Sequence, residues 1–454
     1  MKLVYDVNDK PSFGKLIIFA FQQLLSIMTA TLVVPVVINS QCGTNMSSAA
    51  ALVGAGLGTL VYAAFTQKKS PVFLGSSFAF MGSMAAAFAG GVSMQLGFLG
   101  LIIGAAFAGL VYVIIAIIVK LAGVKWIDRL MPATVIGPTV AIIGLSLAGN
   151  AIGDLTKGSI PDVTASPLAT VLCGMVTLII TIICSTYGKK TAKLIPFIFG
   201  ILGGYAFAAV LTAIGYAADI NAIKILNTQP FTALVADGIT VNTFFAVPDF
   251  TFLTALKGIG ELNAAYIGTI AVAYIPVAFV VFAEHLADHK NISSIIEKDL
   301  LENPGLHRTL LGDGIGSLAG AMFGGCPNTT YGESVGCVAI TRNASVVTII
   351  AAAVLAVVIS FISPFIAFVN SIPSCVMGGV CMALYGFIAV SGLKMIQKVN
   401  LNANKNLFVV STILISGIGE LTLNFGKITI TSIACALILG IIVNLVVKNA
   451  PEQE

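Results

Sequence analysis

Apolar residues run along this chain in long blocks, and many of them approach the ~20 residues a helix needs to cross ~30 Å of hydrocarbon. Leu96 to Val119, Val346 to Val369 and Ile428 to Val447 are three of them. Lipid offers no partner to an exposed sheet edge, so the pattern predicts an all-α polytopic membrane protein. Hydropathy places about fourteen membrane segments, at 14–37, 47–65, 71–88, 94–119, 131–150, 167–186, 194–217, 262–289, 309–325, 330–343, 345–369, 373–393, 406–423 and 428–447. Two of these, the third and the tenth, are too short or too broken to span alone.

One long polar interruption, about residues 218–258 with Asp219, Asp237 and Asp249, separates seven segments from seven. If the first half starts inside and crosses seven times, the second half starts outside, so the halves have inverted topology. Spacing supports a repeat: the second and ninth segments begin about 262 residues apart, and the two broken segments lie about 255 apart. Paired broken segments at corresponding positions of inverted repeats point to a transporter's midplane substrate site.

Composition agrees with the pattern, with 57% of the 454 residues apolar and 9% charged, against roughly a quarter charged in a soluble domain. The polar start, MKLVYDVNDKPS, lacks a signal-peptide cleavage site, so the first helix is expected to be retained. A net charge of +4, spread along the chain, does not suggest nucleic acid. Its distribution is more telling. Alternating loops from a cytoplasmic N-terminus put 19 of the 23 basic residues on one side, leaving Lys157, Lys224, Lys257 and Lys427 on the other. That bias satisfies the positive-inside rule with both termini cytoplasmic. The eight cysteines have no C-x-x-C pair and read as small core residues.

The broken segments are SPVFLGSSFAF (70–80) and GGCPNTTYGESVG (324–336). Each runs from proline through an extended stretch into glycine and a half-helix. Extended backbone at membrane depth is tolerated only where protein buries it or it lines a cavity, so both should turn N–H groups to a common polar pocket. Small residues that simply allow close helix packing are the plainer reading.

Carboxylates inside the membrane are the sharper signal. Glu333 follows the second break, and Glu284 and Asp288, four apart in PVAFVVFAEHLADHKN, share one helix face. Burying a carboxylate in a bilayer costs at least ~2.5 kcal/mol, which makes function the default reading. The alternative for Glu284 and Asp288 is a helix that ends earlier, leaving a solvated cap. His285, Asp288 and His289 raise a metal site, but H-E-x-x-H is absent; His289 and His307 read as loop residues. Ionised carboxylates only accept hydrogen bonds, and half-helix N-termini supply N–H groups. A planar imide with alternating N–H and C=O groups fits both. Two carboxylates sharing a buried pocket resist double ionisation, so a proton can bind and leave with the ligand. Glu284, Asp288 and Glu333 are the proton-coupling candidates.

At these residues the chain resembles the nucleobase/ascorbate transporter family, from FQQLLSIMTATLVVPVV (21–37) through LGSSFAF (74–80), AEHLADHKNISSIIEKDLLENPGLHRTLLGDG (283–314) and CPNTTYGESVGCVAITRNASVV (326–347) to PSCVMGGVCMALYGFIAVSGLK (373–394). The family signature of an acidic or amide residue, Asn, any residue, Gly, four more and Thr-Arg is matched by Glu333, Gly336, Thr341 and Arg342, with Ser334 where Asn is usual. The resemblance implies a 7+7 inverted repeat with a core domain at 1–125 and 259–370 (segments 1–4 and 8–11). It implies a gate domain at 126–217 and 371–454 (segments 5–7 and 12–14, with a cytoplasmic tail) and an extracellular linker at 218–258. It also implies proton symport of uracil through the cytoplasmic membrane by an elevator-like movement, usually as a homodimer among membrane lipids, and no enzyme activity or cofactor beyond the co-transported proton. By motif, Glu284 and Glu333 would bond the uracil edges, with backbone help from Phe78 and Gly332, Ala30 near the ring and Tyr331 lining the site. Asp288 stands where some relatives have histidine, and Gln22-Gln23 where the family has Gln-His. A xanthine or purine permease on the same scaffold is the nearest alternative. A 7+7 anion transporter, whose ligand two acidic groups would repel, and a metal transporter or intramembrane metalloenzyme are further off.

Overall fold

The computed structural model describes residues 3–123, 126, 132–161, 163–189, 191–236, 238–425 and 428–447. Lys2, Lys125, Arg129, Lys190, Asp237, Lys427 and Lys448, used above for charge and linker assignments, lie outside the described residues. The first half comprises α1 (Phe13–Cys42), α2 (Ser48–Phe65), strand β1 (Leu74–Ser76), α3 (Met81–Ala87), α4 (Met94–Ala122), α5 (Ala133–Ser146), α6 (Ala148–Leu155), α7 (Pro167–Tyr187), α8 (Thr191–Leu194) and α9 (Pro196–Ala217). Short helical turns fill much of the connection between Asn221 and Glu261. The second half comprises α10 (Ala264–Ile296), α11 (Leu306–Gly324), strand β2 (Asn328–Thr330), α12 (Gly332–Thr341), α13 (Val346–Ile359), α14 (Ser363–Ser371), α15 (Ser374–Ile396), α16 (Asn404–Ile418), hairpin β3 (Leu423–Phe425) and β4 (Ile428–Ile430), and α17 (Ser432–Val446).

Among the described residues eight helical stretches are long and apolar enough to cross a membrane, and α13, α16 and α17 are shorter apolar helices. The chain is a multi-pass, mostly helical membrane protein. Leu110, Ile114, Ile117 and Leu121 of α4 and Ile179, Ile182 and Ile183 of α7 leave their side chains uncovered, as helices bordered by hydrocarbon do.

Local chemistry sets the helix ends. The side chains of Ser47, Ser93 and Asn263 accept from the N–H groups of Ala50, Leu96 and Tyr266, starting α2, α4 and α10. Proline stands in the first turn of α7, α9 and α14. The structure corrects several expected segments. Ser363-Pro364 starts a new helix, so the run 345–369 is two helices. Residues 131–150 hold α5 and the start of a separate α6. The hairpin β3–β4 occupies the start of the run 428–447. Helix α10 does not stop near residue 289 but continues to Ile296, so Asp288 and His289 belong to a helix and not to a solvated cap or loop.

Helices α2 and α11 touch backbone to backbone, a packing that membrane helices reach through small residues. A Cβ on Gly54 would lie 2.5 Å from the Gly320 carbonyl oxygen, and one on Gly58 would lie 2.7 Å from that of Gly316. Gly54→Leu is therefore expected to cost about 3 kcal/mol or more, read as loss of monodisperse protein after detergent extraction; an unchanged thermal midpoint would contradict this packing.

Candidate functional site

Two three-residue strands lead into the site. Strands β1 and β2 pair antiparallel, Leu74 with Thr330, Gly75 with Thr329 and Ser76 with Asn328. All six residues are buried, and the pair is extended at both ends by Ser77 N–H to Pro327 O (2.9 Å) and Tyr331 N–H to Phe73 O (3.3 Å). Gly75 is required here because a Cβ would enter the Tyr331 ring. That ring is pinned by its hydroxyl, which donates to Ser76 O at 2.6 Å. After β1 the chain passes Ser77 and Phe78 into α3; after β2 it passes Tyr331 into α12, with Glu333 in the first turn. The first-turn N–H groups of α12 lack the carbonyl partners that the rest of the helix has, and point out of its N-terminus.

A cavity of about 430 Å³ opens on this end of α12. Glu284, Asp288, Glu333, Phe78, Thr329, Tyr331 and Gly332 line it together with Phe197, Leu384, Phe387 and Lys193 of α8. The structure thus brings Glu284, Asp288, Glu333, Phe78, Gly332 and Tyr331 to one space. Asp288 Oδ2 accepts from Thr330 Oγ1 at 2.8 Å, which ties α10 to β2. A Cβ on Gly332 would stand 3.8 Å from Asp288 Oδ1, so the first turn of α12 abuts Asp288. Ala30 does not line the cavity; it packs behind it, 1% exposed, in the cluster holding Phe73 and Tyr331. From α1 the cavity receives Ser26, one turn earlier. A second cavity, about 360 Å³ and bordered by Met28, Thr29, Asn39, Phe365, Asn370 and Met377, has no charged side chain among the described residues.

Behind Glu284 lies a polar cluster that sequence reading missed. Asp313 of α11 is fully buried, and its Oδ2 stands 2.7 Å from His285 Nδ1 and accepts from Thr329 Oγ1 at 3.3 Å. His285 Nε2 meets Thr309 Oγ1 at 3.0 Å. The next ring is also spent: His289 Nδ1 faces His285 O (2.8 Å), so it carries the proton, and Nε2 accepts from the Tyr62 hydroxyl at 2.6 Å. Every ring nitrogen of His285 and His289 already has a partner, and no group of three or more metal-type ligands occurs among the described residues. Asp313 had a signal: an aspartate within an apolar run calls for a buried partner.

The two departures from the family pattern meet each other. Gln23 Nε2 donates to Ser334 Oγ at 2.6 Å, and the same oxygen accepts from Phe73 N–H at 3.0 Å. This links α1, the β1 approach and the second residue after Gly332. Thr330→Val would strip Asp288 of its donor while keeping shape. A hydrogen bond to a charged group contributes about 1.5–3 kcal/mol, so transport should fall at least about tenfold with protein level unchanged; equal rates would contradict a role for this contact.

Residues 14–425 match a family described as "Permease family". The chain belongs to this family, that of the nucleobase/ascorbate transporters. This permease is 36% identical over 455 residues to the uracil permease of Bacillus caldolyticus, covering 99% of this chain and 96% of that one. It is 36% identical over 462 residues to that of Bacillus subtilis strain 168, covering 100% and 97%, and 33% identical over 445 residues to that of Escherichia coli K12, covering 97% and 93%. In fold it is similar to the transmembrane domain of the cyanobacterium bicarbonate transporter BicA, with TM-score 0.63 and 14% identity over 97% of this chain and 100% of that one. The murine anion transporter Slc26a9, inward-facing, gives TM-score 0.63 and 9% identity over 97% of this chain and 69% of that one.

Proposed function

We propose that this permease carries uracil inward together with a proton. The observation that carries the reading is the meeting of Glu284, Asp288 and Glu333 with the N-terminal end of α12 in one cavity. Ionised carboxylates accept from ligand N–H groups, and the N–H groups of a helix N-terminus, with the positive end of its dipole, favour ligand carbonyl oxygens. Uracil presents both kinds of edge. Relatives that match nearly the whole chain are named uracil permeases, which favours a pyrimidine over a purine.

In this reading Glu284 and Glu333 hold the ligand edges, the backbone at Phe78 and Gly332 assists, Tyr331 forms a wall and Ala30 supports that wall from behind. One of Glu284, Asp288 and Glu333 takes the proton, because adjacent carboxylates in a dry cavity resist full ionisation together. The halves form a 7+7 inverted repeat of fourteen segments, with segments 3 and 10 broken, and the core domain moves against the gate domain as an elevator. The protein works as a homodimer in the cytoplasmic membrane with both termini inside.

Competition separates the substrates. Uptake of labelled uracil should be inhibited by excess uracil and resist equal xanthine or guanine; strong xanthine inhibition without uracil uptake would assign a purine permease. A protonophore should collapse uptake. Indifference to it, with dependence on sodium, would remove proton coupling.

A further inference from the structure

Residues 3–9, ahead of α1, lie across the C-terminal ends of the two helices that carry the carboxylates. The N–H groups of Val4 and Tyr5 both donate to Arg342 O, at 2.8 and 3.4 Å, while Ala344 N–H donates to Tyr5 O (2.9 Å) and Val346 N–H to Val7 O (3.1 Å). These bonds pair Tyr5 with Asn343 in parallel. Ser345 Oγ donates to Asp9 O at 2.6 Å. On the α10 side, Lys298 Nζ donates to the Asp6 carboxylate. That ammonium, together with the Val7 N–H, holds the Asp6 carboxyl below its ordinary range, so it stays ionised at neutral pH. Asp6 and Asp9 also close the segment on itself, through Asp6 N–H to Asp9 Oδ2 and Val7 N–H to Asp6 Oδ1, both 2.7 Å.

Between these polar ties the segment is also held by apolar packing, with Leu3 at the edge of the cluster and Val7 inside it. Val7 is 4% exposed and shares a buried cluster with Ile292 and Ile296 of α10 and Val335 and Val338 of α12. Both helices end where the segment grips them, in left-handed residues Glu297 (φ 55°) and Arg342 (φ 56°). Helix α12 has ten residues, too few to stand without tertiary support. Its N-terminal end is fixed by β2 and the Ser334 contacts. Just past its C-terminal end, the carbonyl of the capping residue Arg342 is met by the N–H groups of Val4 and Tyr5.

We propose that residues 3–9 are a clasp that sets the separation of α10 and α12, with Val7 as a positioning residue for Glu284 and Glu333. The clasp touches no substrate. It acts through the spacing of two helices, and this effect on transport rests on the reading of the cavity as the substrate site.

The test uses full-length protein in proteoliposomes. Val7→Asp places a carboxylate among apolar neighbours, and Val7→Ile keeps the packing. Misplacing a binding group by a fraction of an ångström weakens binding sharply, so Val7→Asp is expected to raise the KM for uracil about tenfold with a smaller change in maximal rate. Val7→Ile should behave as wild type. Amide hydrogen exchange over residues 332–341 should quicken at least about tenfold in Val7→Asp, with exchange in α9 as the unaffected reference. Unchanged KM and unchanged exchange would overturn the clasp. If Val7→Asp does not reach the membrane, Asp6→Lys and Lys298→Asp, singly and together, decide: each single should quicken exchange and the swapped pair should slow it again, and indifference to the pairing overturns it. If wild-type protein takes up no uracil, the transport reading fails, and exchange over 332–341 alone decides the clasp.

Discussion

Glu333→Gln is expected to reduce uptake of labelled uracil about hundredfold while the protein remains in the membrane at wild-type level. The amide has the shape of the carboxylate, but it replaces an acceptor-only group by one that also donates. Glu333 stands in the first turn of α12, beside Gly332 and lining the cavity with Glu284 and Asp288; under the proposed function that change would turn a donor toward ligand N–H groups and remove an acceptor for a proton. Hydrogen bonds to a charged group contribute about 1.5–3 kcal/mol each, so losing one bond and creating a mismatch amounts to two orders of magnitude. Uptake kinetics in proteoliposomes, normalised to reconstituted protein, give the number. Wild-type rates would put the substrate elsewhere.

Asp313→Leu is expected to act on the fold instead. Asp313 and His285 are both fully buried, with Oδ2 and Nδ1 2.7 Å apart. Removing the carboxylate leaves His285 Nδ1 and the Thr329 hydroxyl without the partner they share, in a buried interior. Leaving a buried donor unpaired costs about 1–3 kcal/mol, whereas replacing both partners with apolar groups can be nearly neutral. The expected order of thermal midpoints in detergent is therefore wild type highest, the double variant His285→Leu with Asp313→Leu next, and Asp313→Leu lowest. A double variant no more stable than the single would contradict the pairing, because the coupling between contacting residues is what the cycle isolates.

The parts of the molecule legible in the sequence are those with local signatures. Long apolar runs announced membrane helices, and the four-residue spacing of Glu284 and Asp288 put both on one face of α10. Proline, extended residues and glycine at 70–80 and 324–336 marked where β1 and β2 lie. What stayed hidden depends on contacts between distant residues. Three-residue strands carry no periodicity long enough to fix a partner, so the register of Gly75 with Thr329 could not be read. Asp313 sits among glycines in LLGDGIG, and only the approach of α10 reveals that His285 is its partner. Gln23 and Ser334 read as two unrelated departures from a motif until folding placed them 2.6 Å apart. The division of 345–369 into α13 and α14 was written in Ser363-Pro364, a helix-start signal that apolar continuity obscured.

The most direct test of the central claim is counterflow-free uptake of labelled uracil into proteoliposomes of the purified full-length chain, with a proton gradient imposed in either direction. An inward gradient should drive uracil above its external concentration, and an outward gradient or a protonophore should abolish accumulation. Uracil uptake that ignores the gradient in both directions, or no uracil uptake beside active transport of another nucleobase, would contradict the account.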